Sequence, residues 1–277
     1  MHRGVGVLAV ALLLATAGCG SLVEAPDATT REPFAVEETV RDGPQSGPEV
    51  VPGLTWRAVT DAEALAESHR SVVAGESRVL RREHVVRTDD GSVRARAVGV
   101  LRVGEDGQVV YTFRSSGANL GVFGLRATNY SVWTNGSVTV VRVQRATGVA
   151  YEVLDGRRRL PADSTGAERV RVLFERATVQ NVTTRYWNGD TYYRVEATVA
   201  PGDISGFADP DLYRLSANVV NSGAVARLTF RYPFVRGDER FLREQDWSVG
   251  AVGSTVVERP DWVATALDGA ANRSRPR

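Results

Sequence analysis

The sequence predicts one α+β domain in which an antiparallel sheet, built as a meander, packs on two short helices. Three observations predict this fold class. Asn-Gly or Asp-Gly pairs separate long extended runs, and apolar and polar residues alternate along the later runs. Two capping-box sequences each come just before an apolar stripe with helical spacing. The chain, at 277 residues, is long enough for such a domain together with an N-terminal leader.

The composition excludes several classes of function. With 43% apolar and 24% charged residues, the chain is typical of a globular protein. Its one Cys excludes an intramolecular disulfide, and its three His exclude a His-rich metal site, so we predict no metal and no cofactor. All 34 basic residues are Arg, but the net charge of +1 gives no reason to expect a nucleic-acid partner.

The first 18 residues have the features of a signal peptide. Arg3 precedes the apolar run Gly4–Ala15, which is shorter than the ~20 residues that a membrane-spanning helix needs. The sequence Thr16-Ala-Gly-Cys19 follows, and these small residues before a cysteine resemble the lipobox of bacterial and archaeal lipoproteins. The resemblance implies cleavage before Cys19 and a lipid on its thiol, which would attach the protein to the outer face of the cell membrane. The alternative is a plain secretory signal with an incidental cysteine.

Residues 19–52 are predicted to form an acidic, flexible tether. Between Gly20 and Pro52 there are seven acidic residues against two arginines, and prolines recur along the segment. Such a composition cannot bury enough apolar surface to fold alone. The alternative is an ordered arm that packs on the domain through Phe34, Val36 and Val40.

The domain is predicted to span residues 53–267 and to begin with a helix over Asp61–Ala74. The run from Thr60 to Glu63 fits a capping box, with Thr60 as the N-cap, and Gly75 suits the end of the helix. His69 falls on the apolar face of this helix. A histidine in that position is more often a hydrogen-bonded core residue than a metal ligand.

Extended runs then follow in two groups around a second helix. An Asx-Gly pair between two such runs predicts a tight hairpin, because a type I′ turn needs positive φ at both central residues. The second helix starts at the capping box Thr165–Glu168. The segment Arg240–Val263 is expected to be extended and residues 268–277 to form a disordered tail. The predicted strands are Val79–Arg87, Val93–Val103, Gln108–Arg114, Tyr130–Thr134, Val138–Gln144, Val179–Trp187, Thr191–Val199, Tyr213–Val220 and Val225–Tyr232.

This order of elements resembles two groups of exported proteins. The run Pro52–Arg70 looks like the domain start of the exported lipoproteins of unknown function found in haloarchaea. The layout from Leu54 to about Trp262 is similar to the LolA/LppX-type lipoprotein-carrier fold. That resemblance implies a strongly curved antiparallel half-barrel that wraps helices over an apolar concavity.

A curved sheet must cover its apolar face, and a hollow left by two short helices would be a default site for an apolar or lipid-like ligand. The residues expected to line it are Tyr193, Val195, Leu228 and Phe230. The alternative is that helix side chains fill the concavity and these four residues are ordinary core. The leading functional hypothesis is therefore a non-catalytic carrier or scaffold at the cell envelope.

Two other functions compete with the carrier hypothesis. The Arg-rich outer face suits a surface adhesin or assembly module. A hydrolase would need His84 beside an acid and a nucleophile. A calcium site in the loop that holds Asp203, Asp209 and Asp211 is a weaker possibility, since the spacing is not that of an EF-hand.

Asn-x-Ser/Thr triplets provide candidate glycosylation sites if the chain is exported. Asn129, Asn135 and Asn181 lie in or beside predicted strands, and a fourth triplet begins at Asn272. The Asn135-Gly136 pair is also expected to form a hairpin turn.

Overall fold

A computed structural model describes residues 47–117, 129–156, 160, 163–187, 190–200 and 213–273 of the chain. Cys19, the signal segment, nearly all of the predicted tether and the Asp203–Asp211 loop lie outside these residues. Within the described ranges, none of the helices has the length and apolar character needed to cross a membrane.

The described residues form thirteen strands and three helices. The helices are α1 (Ala62–Val73), α2 (Ala167–Phe174) and α3 (Asp261–Arg273). The strands are β1 (Glu49–Val51), β2 (Leu54–Thr55), β3 (Arg78–Thr88), β4 (Val93–Val103), β5 (Val109–Gly117), β6 (Asn129–Thr134), β7 (Val138–Arg145), β8 (Gly148–Asp155), β9 (Ala177–Trp187), β10 (Asp190–Val199), β11 (Arg214–Val220), β12 (Val225–Arg236) and β13 (Glu239–Gly250).

Eleven of these strands form one antiparallel sheet in the order β8-β7-β6-β5-β4-β3-β13-β12-β11-β10-β9. Two meanders, β3–β8 and β9–β13, are joined where β3 pairs with β13. The predicted α+β class with a large antiparallel sheet is confirmed. The edge strands β8 and β9 are not paired with each other, so the sheet is not closed, and the strong curvature of a half-barrel stays a prediction.

The hairpin turns follow from local backbone chemistry. Gly91 and Gly136 have φ of +84° and +96°, the left-handed region that glycine adopts without steric cost. The Oδ1 atom of Asn135 accepts hydrogen bonds from the backbone N–H groups of Ser137 and Val138, which closes the β6–β7 turn. The predicted turns at Asp90-Gly91 and Asn135-Gly136 are therefore confirmed.

Helices cover both faces of the sheet, but at different strands. We call the face that packs against α1 and α2 the inner face. Its core combines Leu65 of α1 and Phe174 of α2 with sheet residues such as Leu80, Val195 and Trp247. Helix α3 packs on the opposite, outer face at β6–β8, in a cluster of Trp133, Val140, Val263 and Ala266.

His69 connects α1 with three other elements. It is fully buried, and its Nδ1 accepts a hydrogen bond of 3.1 Å from the backbone N–H of Val225 at the start of β12. Nε2 must therefore carry the proton, which it donates to the carbonyl of Thr165 at 3.0 Å, just before α2. Burial lowers the pKa of His69, which keeps the ring neutral. The prediction that His69 is a hydrogen-bonded core residue is confirmed.

The helix caps differ in detail from the predictions. Asp61, and not Thr60, is the N-cap of α1, because its Oδ1 accepts the backbone N–H of Ala64 at 2.9 Å. The N-cap of α2 is Gly166, with a φ of +90° and no side-chain cap. In the loop before it, Asp163 Oδ1 accepts the backbone N–H of Gly166 at 2.6 Å.

Three assignments from the middle of the chain to its end were wrong. The sequence analysis missed β8, which pairs along its whole length with β7. The segment Arg240–Val263, expected to be extended, divides into β13 and the start of α3. Helix α3 continues to Arg273, so residues 268–273 are helical where we expected a disordered tail. The fold therefore has three helices in its described part instead of the two predicted.

Gly166 provides a test of how α2 is seated on the sheet. A Cβ atom at Gly166 would lie 2.2 Å from Cζ2 of the buried Trp247, whereas one at Gly91 would meet nothing within 4 Å. Gly91→Ala should cost about 1 kcal/mol for its positive φ alone. Gly166→Ala should cost roughly 2–4 kcal/mol, because overpacking against Trp247 adds to the same backbone strain. Urea unfolding of both variants measures the difference, and equal losses would contradict this packing.

Candidate functional site

The four residues predicted to line a ligand site do not share one cavity. Val195 and Leu228 are buried in the inner-face core. Tyr193 is partly buried and meets the ring of Trp56 edge-on, with 5.6 Å between ring centroids. Phe230 differs from the other three, since it lines an open pocket. A role in ligand binding stays a prediction for all four.

The pocket that includes Phe230 lies between α2 and the inner face of the sheet. Its volume of about 380 Å³ falls within the range of about 300–1,000 Å³ that small-molecule sites usually occupy. Apolar and charged side chains share its wall. The lining residues are Arg82, Asp163, Glu168, Arg169, Val172, Leu173, Phe230, Tyr232 and Gln245.

The apolar part of the pocket rests on packed aromatic rings. The rings of Phe230 and Tyr232 lie 5.0 Å apart, and Tyr213 stacks on Tyr232 at 5.5 Å. Leu173 of α2 faces them from the other side of the pocket. These contacts hold the apolar wall in a defined position, because each ring is constrained by a neighbour.

Two arginines in the pocket wall, Arg82 and Arg169, form its cationic part, and Arg243, which does not line the pocket, is connected to it through Tyr232. Arg82 of β3 donates from Nη2 to the carbonyl of Asp163 at 2.7 Å. Arg169 of α2 donates to Oε1 of Gln245. Arg243 of β13 donates from Nη1 to the hydroxyl of Tyr232 at 2.6 Å and lies over the rings of Tyr232 and Phe234. We call Arg82, Arg169 and Arg243 the inner arginine cluster.

Two carboxylates line the same pocket, and both already bind other groups. Asp163 Oδ2 is 4.0 Å from Nη2 of Arg82, while its Oδ1 accepts hydrogen bonds in the loop before α2. Glu168 is exposed and lies 2.7 Å from Arg171, which is not a pocket residue. The pocket wall therefore holds two arginines and two carboxylates, but the carboxylates are engaged with the α2 loop and with Arg171, and Arg243 adds a positive charge beside Tyr232.

His84 lies on the same face of β3 as Arg82 and directly opposite Gln245 of β13. Burial, together with the charges of Arg169, Arg243 and Arg82, lowers the pKa of His84 to about 4. The ring is neutral at pH 7. The groups that shape its titration are cations, whereas the hydrolase hypothesis needs an acid beside it.

Arginines on the outer face are arranged differently from the inner arginine cluster, because they pair with carboxylates across and along the strands. Arg96 and Arg81 both bind Glu83, at 2.6 and 2.8 Å. Burial raises the pKa of the Glu83 carboxyl, but the hydrogen bonds from these two arginines outweigh it and leave the pKa below its usual value. Similar pairs join Arg227 to Asp246, Arg231 to Glu244, and Arg194 to Glu196. These arginines are therefore largely neutralised by ion pairs within the face itself, which gives the adhesin hypothesis no specific support.

The sequence analysis did not identify the inner arginine cluster. A signal was present in β3, where Arg82 and His84 alternate in step with the apolar residues Leu80 and Val86. Strict period-two alternation places all four on one face. Nothing local to the sequence indicates that Arg243 and Arg169 lie beside them.

The three candidate glycosylation sites are exposed. Asn129 begins β6, where its Oδ1 accepts the backbone N–H of Ser115 at 3.0 Å. Asn135 lies in the β6–β7 turn and Asn181 on the edge strand β9. Glycan attachment at these positions stays a prediction.

In the described part of the chain, no group of three or more His, Cys, Asp or Glu side chains is arranged to hold a metal ion. The loop of Asp203, Asp209 and Asp211, considered for calcium, lies outside that part.

Comparison with known proteins shows similarity to several solved structures. A LolA superfamily protein from Nitrosomonas europaea is 10% identical, with a TM-score of 0.24, over 73% of this chain and 96% of the other. LprF from Mycobacterium bovis is 12% identical, with a TM-score of 0.36, over 72% and 96%. A putative outer membrane lipoprotein-sorting protein domain from Vibrio parahaemolyticus is 7% identical, with a TM-score of 0.22, over 72% and 94%.

No protein-family model matches the chain, and no curated protein matches it either. The solved structures that it resembles therefore include LolA-superfamily and lipoprotein-sorting proteins, but identities of 12% or less and TM-scores of 0.36 or less do not identify its family. The predicted haloarchaeal resemblance stays a prediction.

The low pKa of His84 predicts a specific pH dependence of stability. The folded ring stays neutral down to about pH 4, whereas the unfolded ring takes a proton below about pH 6.5. Between these values the unfolded chain binds more protons, so the free energy of unfolding should fall as the pH falls from 6.5 to 4. In His84→Gln this fall should be shallower, while the two proteins should keep a constant difference above pH 7. Thermal unfolding of both proteins across pH 4–8 measures this pH dependence of stability. Parallel curves over the whole range would show that the pKa of His84 is not lowered in the folded protein.

Proposed function

We propose that this chain is a lipid-anchored protein of the outer face of the cell membrane that binds a lipid-like molecule in the inner-face pocket and catalyses no reaction. The observation that carries the binding proposal is the pocket of about 380 Å³ with Leu173, Phe230 and Tyr232 in its wall. Open apolar pockets with a few polar groups at one side are typical binding sites for small molecules.

The pocket differs from the cavity expected from the sequence. The inner face around Tyr193, Val195 and Leu228 is covered by packed side chains, among them Leu65 of α1 and Phe174 of α2. The space that stays open lies farther along β12, at Phe230 and Tyr232, where α2 is the covering element. The site is therefore proposed at the α2 side of the inner face.

The anchor proposal rests on the N-terminal sequence. A short apolar run followed by small residues and Cys19 suits a signal peptide over residues 1–18 that is removed before a lipidated cysteine. One acyl chain binds a membrane only marginally, so durable attachment needs more than one chain on this residue. The spacer between the membrane and the domain is then shorter than the predicted 19–52, because Glu49–Val51 form β1 and Val51 is buried in the inner-face core.

The absence of catalysis is part of the proposal and is supported by the surroundings of His84. A general base must be able to take up a proton near the working pH. With a pKa of about 4 and three arginines as its electrostatic neighbours, His84 is poorly suited to that task at neutral pH.

Blocking the pocket tests the binding proposal. Val172 lies on α2 in the pocket wall, so Val172→Trp should fill the space with an indole and remove most of the bound lipid. Val256→Trp is the matched control, because Val256 is 82% exposed outside the pocket. Native mass spectrometry of protein extracted from the producing cells measures lipid per chain. A wild-type protein without lipid, or equal lipid in both variants, would overturn the proposal.

Replacing the cysteine tests the anchor. Cys19→Ser should release the processed protein from the membrane into the medium, because it leaves no thiol to carry the acyl chains. Ser21→Ala, two residues away, should stay membrane-bound. Membrane fractionation with intact-mass measurement distinguishes the two. Retention of Cys19→Ser at the wild-type level would show that the anchor lies elsewhere.

A further inference from the structure

The inner arginine cluster differs from the ion-paired arginines of the outer face in what its guanidinium groups bind. The acceptors of Arg82, Arg169 and Arg243 are a carbonyl, an amide oxygen and a phenol, all uncharged. On the outer face, by contrast, arginines such as Arg227 and Arg231 bind carboxylates at 2.8 Å. The inner-face charges are therefore not neutralised by direct contacts of this kind.

A chain of hydrogen bonds holds the cluster against the apolar wall. Gln245 accepts from Arg169 through Oε1 and donates through Nε2 to the hydroxyl of Tyr232 at 3.2 Å. The same hydroxyl accepts from Arg243. Since Tyr232 also contributes its ring to the pocket, the charged and apolar parts meet at one residue.

The protein does not use every hydrogen-bond donor of the cluster. The Nε atoms of Arg82 and Arg243 are buried and have no protein acceptor within hydrogen-bonding distance in the described part of the chain. Buried N–H groups are nearly always hydrogen-bonded in folded proteins. Guanidinium groups favour carboxylate and phosphate oxygens, which they bind with two parallel hydrogen bonds.

The carboxylate nearest to the cluster does not meet this need. Asp163 approaches Arg82 only at 4.0 Å, and its other oxygen is used by Thr165 and Gly166 in the loop before α2. Glu168, the second carboxylate in the pocket wall, is bound to Arg171 at 2.7 Å, so it does not neutralise the cluster directly either. An added anion in the pocket would offset the charge of Arg82 and Arg169.

We infer that the pocket takes an amphiphile with an anionic oxygen-bearing end, a carboxylate or a phosphate, which the inner arginine cluster binds while the hydrocarbon lies against Val172, Leu173 and Phe230. This inference rests on the proposed function and deepens it, because it names the end group of the ligand. The cluster then selects the ligand by its end group, whereas the apolar wall accepts any hydrocarbon chain that fits.

The test compares probes that share a twelve-carbon chain and differ in the end group. The Cys19→Ser full chain, which has no thiol to acylate, is titrated calorimetrically with dodecanoate, dodecyl phosphate, dodecanol and dodecylammonium below their critical micelle concentrations. At least one of the two anions should bind about tenfold or more tightly than dodecanol, and dodecylammonium most weakly.

Substitutions assign the preference to named residues. Arg169→Gln should lower the affinity for the preferred anion by about tenfold or more and leave the affinity for dodecanol unchanged. Arg82→Gln is a second variant with the same expectation, in case Arg169→Gln fails to fold by circular dichroism. Arg231→Gln, on the outer face, is the matched control and should bind like the parent chain.

The other outcomes separate the inference from the proposed function. If none of the four probes binds, the proposed function itself fails. If dodecanol binds as tightly as both anions, or if both inner variants retain the anion preference, the inference fails and the proposed function stands. If acetate or inorganic phosphate competes as well as the long-chain anion, the cluster binds a free small anion and the inference is overturned.

Discussion

The pairing of β3 with β13 is the constraint on which the rest of this fold depends. Ten residue pairs, from Phe241 opposite Thr88 to Gly250 opposite Val79, join the two meanders into one sheet. The two strands are more than 150 residues apart in sequence, so closing this contact carries a large entropic cost. Once it forms, consecutive strands β8 and β9 lie at opposite edges of the sheet, and the connection containing α2 must cross from one edge to the other.

The same pairing assembles the candidate site. It sets His84 opposite Gln245, Arg82 opposite Trp247 and Val86 opposite Arg243. Helix α2 then brings Arg169 against them, because the loop before it is held by His69 and its Gly166 fits closely against Trp247. Half-buried cations are costly, and the structure limits that cost with neutral acceptors and a neutral histidine.

Much of the secondary structure follows from local sequence. Glycine-containing turns and period-two alternation identified most of the strands, since both depend only on neighbouring residues. Strand β8 was not predicted because apolar and polar residues alternate only weakly from Gly148 to Asp155. Its residues are also only partly buried along most of its length. Helix α3 was mistaken for extended chain because its Trp and Val favour strands. Its apolar residues Val263 and Ala266 nevertheless have helical spacing, and Pro260 stands just before the helix.

The sequence by itself determined most of the antiparallel strands, two of their glycine turns, the first two helices and the core role of His69, because each depends on a local period, a backbone preference or an apolar face. It also provided the predicted lipid site at Cys19, as a short motif. Only the tertiary structure decided which strands meet, which face α3 covers and where the inner face stays open. Strand pairing across such a distance depends on the total apolar area that whole sheet faces bury, and no local sequence pattern gives that total. The long-range pairing of β3 with β13 is what places the three arginines beside one aromatic wall.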